Sequence, residues 1–239
     1  MNLNATSYVK NRAKLALTKI RVKQILVCVI ISYEKIIAEG VVFDYSQRGK
    51  IKPEDFLRNR LVDDYLENEL SLIDIGTEYF TANKEVTEEY TSTGDNVLHN
   101  DPIDIHIVDK GLKNSWGRNT KPYFAIECKR LGSIADYIND TKKFTERNYS
   151  RLRLPLEGQL GFIENINWNH IIVSDKINDK LSSNTDIETT RKLESFVLRE
   201  NFNGSYISDH IKKDKTPFSI FHLFFDYSKI VLKPEKIPF

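Results

Sequence analysis

The sequence predicts an α/β fold, and three observations predict it. Two stretches alternate with the period of a strand. In Ile103-Asp104-Ile105-His106-Ile107-Val108 the isoleucines face one side; in residues 121–130, Phe124, Ile126 and Cys128 point one way and Ala125, Glu127 and Lys129 the other. Residues 8–39, 53–72 and 134–147 instead carry apolar side chains at helical spacing. The bulk numbers are those of a globular chain: 239 residues, 40% hydrophobic and 29% charged, which suits one domain or one domain with an extension.

Residues 8–39 read as one or two helices, with a broad stripe through Leu15, Ile20, Val22, Leu26, Ile30 and Ile36 and a stop at Gly40. The run Ile25–Ile31 is rich in β-branched residues, but no turn signal bounds it, so a buried helix is preferred to a strand. Its apolar breadth implies packing on two sides, a dimer contact being one way to use them. It is far shorter than the roughly 20 residues a bilayer requires. Lys10, Arg12, Lys14, Lys19, Arg21 and Lys23 read as a solvated helix face. Residues 41–52 form a linker, so 1–50 is expected to be an N-terminal helical extension and 51–239 the main domain.

Pro53-Glu54-Asp55 opens the next helix, with acids in its first turn where the helix dipole favours them. The helix runs to about Leu72 on a stripe of Leu57, Leu61, Val62, Tyr65 and Leu66. Glu69 falls inside that stripe, and a carboxylate on a packed face needs a partner or a metal. Residues 74–86 carry no clear period, with Ile75, Tyr79 and Phe80 available to pack on a sheet. Val86–Ser92 is a candidate strand, and Thr93-Gly94-Asp95-Asn96 a turn. Residues 110–119 form a polar loop around Trp116, expected to plug the core in preference to stacking on a base.

The two alternating stretches carry the chemistry. Glu127 and Lys129 share a strand face about 6.6 Å apart. If the strands are neighbours, Asp104 joins them. Two carboxylates can hold a hard cation such as Mg²⁺, and a lysine beside it can orient a water and offset charge on a phosphate. Asp104 followed by Glu127-Cys128-Lys129 at the end of a hydrophobic strand resembles the PD-(D/E)xK nuclease superfamily, and the Ile-Glu-Cys-Lys-Arg form is close to uncharacterised bacterial, defence-associated members. Here the proline stands two residues before the acid, in Asp101-Pro102-Ile103-Asp104. The resemblance covers roughly residues 55–175. It implies a restriction-endonuclease-like three-layer core, a mixed central sheet flanked by helices in the order helix, three strands, helix, strand. It also implies a Mg²⁺-dependent nuclease, with Mn²⁺ able to substitute. Asp104 and Glu127 would be metal ligands, Lys129 catalytic, and Glu69 the helix acid beside the metal, with Glu67 the second choice.

Beyond Arg130, Gly132-Ser133 starts a helix whose apolar positions are Ile134, Tyr137, Ile138 and Phe144. The resembled group ends this helix with a basic-aromatic pair, here Lys143-Phe144. Lys142, Lys143, Arg147, Arg151 and Arg153 form the densest basic run and are the candidate phosphate contacts. Leu156–Ile163 resembles the group's Gly-x-Leu-Gly-aromatic segment, which opens a helix, with Gln159 a weaker candidate near the site. His170–Val173 reads as a short core strand, Asn178–Asp186 as a loop, residues 187–198 as a helix and Asn201–Tyr206 as a turn. Residues 218–227 alternate with both faces largely apolar, a buried strand or an interface. The tail from Lys233 holds two prolines.

Net charge is +1, so any nucleic-acid surface must be local. Cys28 and Cys128 lie in apolar runs without metal-ligand spacing, which fits free thiols in a reducing, cytoplasmic setting, and no signal-peptide pattern opens the chain. A phosphate-binding glycine loop and a zinc-type Cys/His cluster are both missing from the sequence. His106 shares a face with Asp104 and reads as a polar strand residue. The expected function is Mg²⁺-dependent endodeoxyribonuclease, with a restriction or phage-defence role implied by the resemblance. DNA is favoured over RNA as substrate, no membrane is involved, and a homodimer is favoured because one site per chain cuts one strand. The rival is a non-catalytic nucleic-acid-binding or assembly module of the same fold.

Overall fold

The computed structural model describes residues 5–74, 79–117 and 120–233. Helix α1 (Ala5–Ala38) is continuous. Its run from Ile25 is helical, and Ile25, Leu26, Cys28, Val29 and Ile30 are buried against Phe124, Leu160, Phe162 and Phe225 of the sheet. The apolar breadth read from the sequence is thus used within the chain, and α1 belongs to the main core. Arg21 departs from the solvated face predicted for it. It is buried in a two-pronged pair with Asp109, Nε to Oδ2 at 2.9 Å and Nη2 to Oδ1 at 2.7 Å. Gly111 makes room for it: a Cβ there would lie 2.7 Å from Arg21 Nη2.

The short β1 (Phe43–Asp44) leads into α2 (Pro53–Leu61), which continues through a π-turn at Val62–Leu66 into α3 (Glu67–Ser71). Strands β2 (Phe80–Ser92) and β3 (Leu98–Asp109) form a long hairpin. After α4 (Lys113–Trp116) come β4 (Tyr123–Arg130), α5 (Ile134–Glu146), β5 (Arg147–Tyr149) and β6 (Leu156–Ile163). The chain closes with α6 (His170–Ser183), β7 (Glu188–Ser195), β8 (Ser205–Ile211), β9 (Pro217–Asp226) and β10 (Val231–Leu232). Eight strands make one sheet in the order β5-β2-β3-β4-β6-β9-β8-β7, while β1 pairs with β10 apart from it. Strands β2, β3 and β4 are antiparallel neighbours; β4, β6 and β9 are parallel; β9, β8 and β7 are antiparallel again. The fold is α/β, a mixed central sheet flanked by helices, with an N-terminal helix. One sheet face packs on α1 and α2, and the other, through Ile163 and Phe224, on α5 and α6.

Several elements differ from the sequence reading. Leu156–Ile163 is a strand, buried on both faces between β4 and β9. Its two glycines are there for closeness: a Cβ on Gly158 would lie 2.8 Å from Ile126, and one on Gly161 2.7 Å from Leu131. Residues 170–173 are the first turn of α6, because the Asn169 side chain caps it by accepting from Ile172 N at 2.9 Å. That helix runs through the expected loop to Ser183, and the helix expected over 187–198 is the edge strand β7. Ser205 and Tyr206 begin β8 in place of a turn. Trp116 half-plugs the core as read, with Lys14 Nζ 3.6 Å above its ring. Ile75, Arg118, Asn119 and the tail from residue 234 lie outside the described residues. Both cysteines are free and buried, and no described helix is long and apolar enough to cross a membrane.

A polar chain crosses the far half of the sheet. Tyr137 Oη lies 2.8 Å from His222 Nδ1, and Ser208 Oγ lies 2.7 Å from His222 Nε2 and 2.8 Å from His210 Nε2. His210 Nδ1 lies 3.1 Å from Thr189 Oγ1. All but Thr189 are fully buried.

Candidate active site

Strands β3 and β4 part at the site. They pair from Val108–Tyr123 as far as Ile105–Ile126. Beyond that point β3 follows β2, and β4 follows β6 to Arg130. Asp104 stands at the fork. Its Oδ2 accepts the Cys128 N–H at 2.7 Å, an amide the departing strand leaves without a backbone partner. Its Oδ1 accepts from Arg58 Nη1 at 2.9 Å. Across the hairpin, β2–β3 pairing skips Asp104 and Glu85. Glu85 has φ of 53°, a left-handed conformation that costs on the order of 1 kcal/mol in a non-glycine residue, and it too receives Arg58, at 2.8 Å.

Helix α2 supplies one wall. Glu54 and Arg58 lie one turn apart on it and so share a face. Glu54 accepts the Arg130 N–H at 2.8 Å and Lys129 Nζ at 3.2 Å. Helix α5 supplies the other wall. Asp140 meets Lys129 Nζ at 3.2 Å and Lys143 Nζ at 2.8 Å. Lys129 is thereby clamped between two carboxylates. Glu127 is half-buried and makes no hydrogen bond or ion pair among the described residues. An open cavity of about 640 Å³ lies over the Lys129 clamp, lined by Lys52, Glu54, Lys129, Arg130, Asp140 and Lys143; Asp104 and Glu127 do not line it.

The electrostatics follow from that placement. Burial, then the neighbouring Asp104 and Asp140 carboxylates, push Glu127 up to about 8. Burial also raises Asp104, against the pull of the Cys128 N–H and Arg58. Burial lowers Lys129, but Asp140 and Glu54 more than offset it and hold the ammonium above its ordinary value. A carboxyl raised in the folded state contributes stability below its ordinary value near 4.5, and that contribution is lost as pH rises through about 8. Glu127→Gln is therefore expected to gain stability over the wild type between pH 5 and pH 9, by on the order of a few kcal/mol. Urea unfolding in chelator at the two pH values measures this, and an equal difference at both contradicts it.

The fork brings together Asp104, Glu127 and Lys129, three of the four residues picked from the sequence. Glu69 is not among them. Its buried carboxylate is held by Lys35 of α1, and the helix acid that reaches the fork is Glu54, four turns earlier on the same helical path. Asp140 was passed over although the argument applied to Glu69 fits it: it lies three residues from Tyr137 and four from Phe144, inside the packed stripe of α5. Of the basic run, Arg153 is a correction. It is buried between Glu88 and Glu157, so it holds β6 to β2 and cannot reach a phosphate. Lys142 pairs with Asp186 and Arg147 with Asp101; Lys143 lines the cavity and Arg151 is exposed. His106 packs on Tyr123, ring centres 4.4 Å apart, and Gln159 bonds to Tyr137 O and Thr141 of α5.

Among the described residues no three His, Cys, Asp or Glu side chains group closely enough to hold a metal ion by themselves. Mg²⁺ commonly takes one or two carboxylates, with waters and substrate oxygens completing six positions. Asp104 and Glu127 are oxygen donors of the kind that ion takes: Glu127 has no hydrogen-bond or ion-pair partner among the described residues, and each Asp104 oxygen keeps a lone pair beyond the bond it accepts. Comparison of the chain with models of protein families, with curated proteins and with solved structures finds no match.

Proposed function

We propose that the chain is a Mg²⁺-dependent endodeoxyribonuclease of restriction-endonuclease-like architecture. The observation that carries this is the fork: an unpartnered carboxylate, Glu127, beside Asp104, with a clamped lysine two residues on. The element order supports it as well. Helix α2, the antiparallel β2, β3 and β4, helix α5, and β6 parallel to β4 repeat the order of the resembled superfamily.

A Mg²⁺ or Mn²⁺ held by Asp104 and Glu127 would polarise a phosphate oxygen and acidify a bound water. Arg58 and the Cys128 N–H fix Asp104 in place for that role. Lys129 acts as a cation. Glu54 and Asp140 keep its proton on, so it orients the attacking water and offsets charge on the phosphate without serving as base. Arg130 and Lys143 line the same cavity and contact flanking phosphates. DNA as substrate and a defence role rest on the sequence resemblance, and one site per chain makes a homodimer the unit for a double-strand cut.

One observation favours the rival, a non-catalytic binding module. Arg58 already neutralises Asp104, as a structural ion pair would. Cleavage of supercoiled DNA by the purified protein with Mg²⁺, Mn²⁺ or chelator decides between them. Cutting that requires metal and vanishes in Asp104→Ala is expected; binding of DNA without cutting under any metal establishes the module instead.

A further inference from the structure

A second cavity of about 600 Å³ adjoins the first and shares Arg130 and Gly132 with it. It lies beyond the carboxyl ends of all three parallel strands: Arg130 ends β4 and Leu131 follows it, Glu164 follows β6, and Ser228 follows β9. Crevices at that end of a parallel sheet are where α/β proteins bind ligands. One wall holds two cations. Arg130 Nη2 bonds Glu164 at 2.7 Å and Lys233 Nζ reaches the same carboxylate at 3.2 Å. Glu164 balances one of the two, and Arg130 Nη1 makes no hydrogen bond among the described residues. The other wall is apolar, made by half-buried Trp168 and by Ile166, which is 72% exposed.

We propose that this crevice binds one unpaired nucleotide of the substrate strand, its base on Trp168 and Ile166 and its phosphate on Arg130 and Lys233. The volume suits a mononucleotide. An aromatic face beside cations is how single strands are held, because every base has a face to stack while its phosphate needs a counter-charge. A paired base is shielded by its neighbours, so the crevice engages only an unpaired nucleotide and adds affinity for single-stranded ends and flaps without being needed for cutting of duplex at the fork. The inference rests on the nuclease reading, since Arg130 joins this cavity to the fork where the next phosphate would lie.

Trp168 reports on its own occupancy once Trp116 is removed. Trp116→Phe suits this, because the indole N–H of Trp116 is buried without a hydrogen-bond partner and nothing polar is lost. The variant is titrated in chelator with a 5′-phosphorylated oligothymidylate and with a relaxed, covalently closed circular duplex, in which every base is paired. A saturable change in Trp168 fluorescence with the oligonucleotide alone is expected, at least tenfold weaker in Arg130→Gln. No saturable change up to millimolar oligonucleotide, or the same change with the closed circle, overturns the proposal. Should Trp116→Phe not fold, single-strand binding by Trp168→Ala is followed by anisotropy: a tenfold loss supports the site and unchanged affinity overturns it. Chelator keeps the two readings apart. Trp168 quenching without cleavage under any metal leaves the crevice standing and removes the nuclease; metal-dependent cleavage without quenching does the reverse.

Discussion

Lys129→Ala is expected to lower DNA cleavage by at least about 10²–10³-fold while DNA affinity stays within a few-fold. Lys129 stands two residues beyond Glu127 on β4, and Glu54 and Asp140 hold its ammonium in place. Its loss leaves those two carboxylates facing each other and, on the proposed reading, removes the group that orients the water. On the proposed reading affinity rests elsewhere, on Arg130 and Lys143 of the cavity and on the exposed Arg151. The measurement pairs single-turnover cleavage with anisotropy binding in chelator. Full activity in the variant removes the assignment of Lys129, whatever the wild type cuts. Lys129→Arg is a stringent companion: it keeps the charge, but a planar guanidinium does not fit a clamp built for an ammonium, so most of the loss is expected to remain.

Arg58→Ala is expected to cost about 3–5 kcal/mol of folding stability. Arg58 is 1% exposed and bonds Asp104, Glu85 and Asn59, with Asp55 at 3.2 Å. Removing it strands Asp104 at the fork, where burial already disfavours the charge. The double variant Arg58→Ala with Asp104→Asn separates causes. If the cost is an uncompensated carboxylate, the second change restores part of it. Urea midpoints measure both, and a loss below 1 kcal/mol for the single variant contradicts the account.

The strand carrying Glu127 and the strand carrying Asp104 were legible because each alternates cleanly, and alternation is what one half-buried sheet face imposes. The helices at 8–39, 53–72 and 134–147 were legible for the parallel reason. What failed was local. Residues 156–163 and 187–195 carry no alternation, β6 because neighbours cover both its faces and β7 because it is an irregular edge. Glu69 stands out in the sequence because it falls in the apolar stripe, with Glu67 second, whereas Glu54 reads only as a first-turn acid. The choice between them is made by where α2 crosses β4, a tertiary fact with no trace in spacing. Arg153 looked like surface because a basic run usually is; of its two buried acids Glu157 is four residues on in β6, but Glu88 lies on the distant β2.

The polar chain from Tyr137 to Thr189 has a direction. The Tyr137 hydroxyl is buried with His222 Nδ1 as its partner, so it donates there. His222 then carries its proton on Nε2 and gives it to Ser208; Ser208 gives its own to His210, whose Nδ1 proton goes to Thr189. The line closes only while both rings are neutral. Burial holds His222 well below its ordinary value and His210 down to about 4. Unfolded histidines take up protons near pH 6.5, so the folded state loses ground as pH falls from there toward 4. The half of the sheet remote from the fork thus carries an acid fuse: each proton its buried histidines gain on opening pulls the β8–β9 seam apart as pH falls below about 6.5.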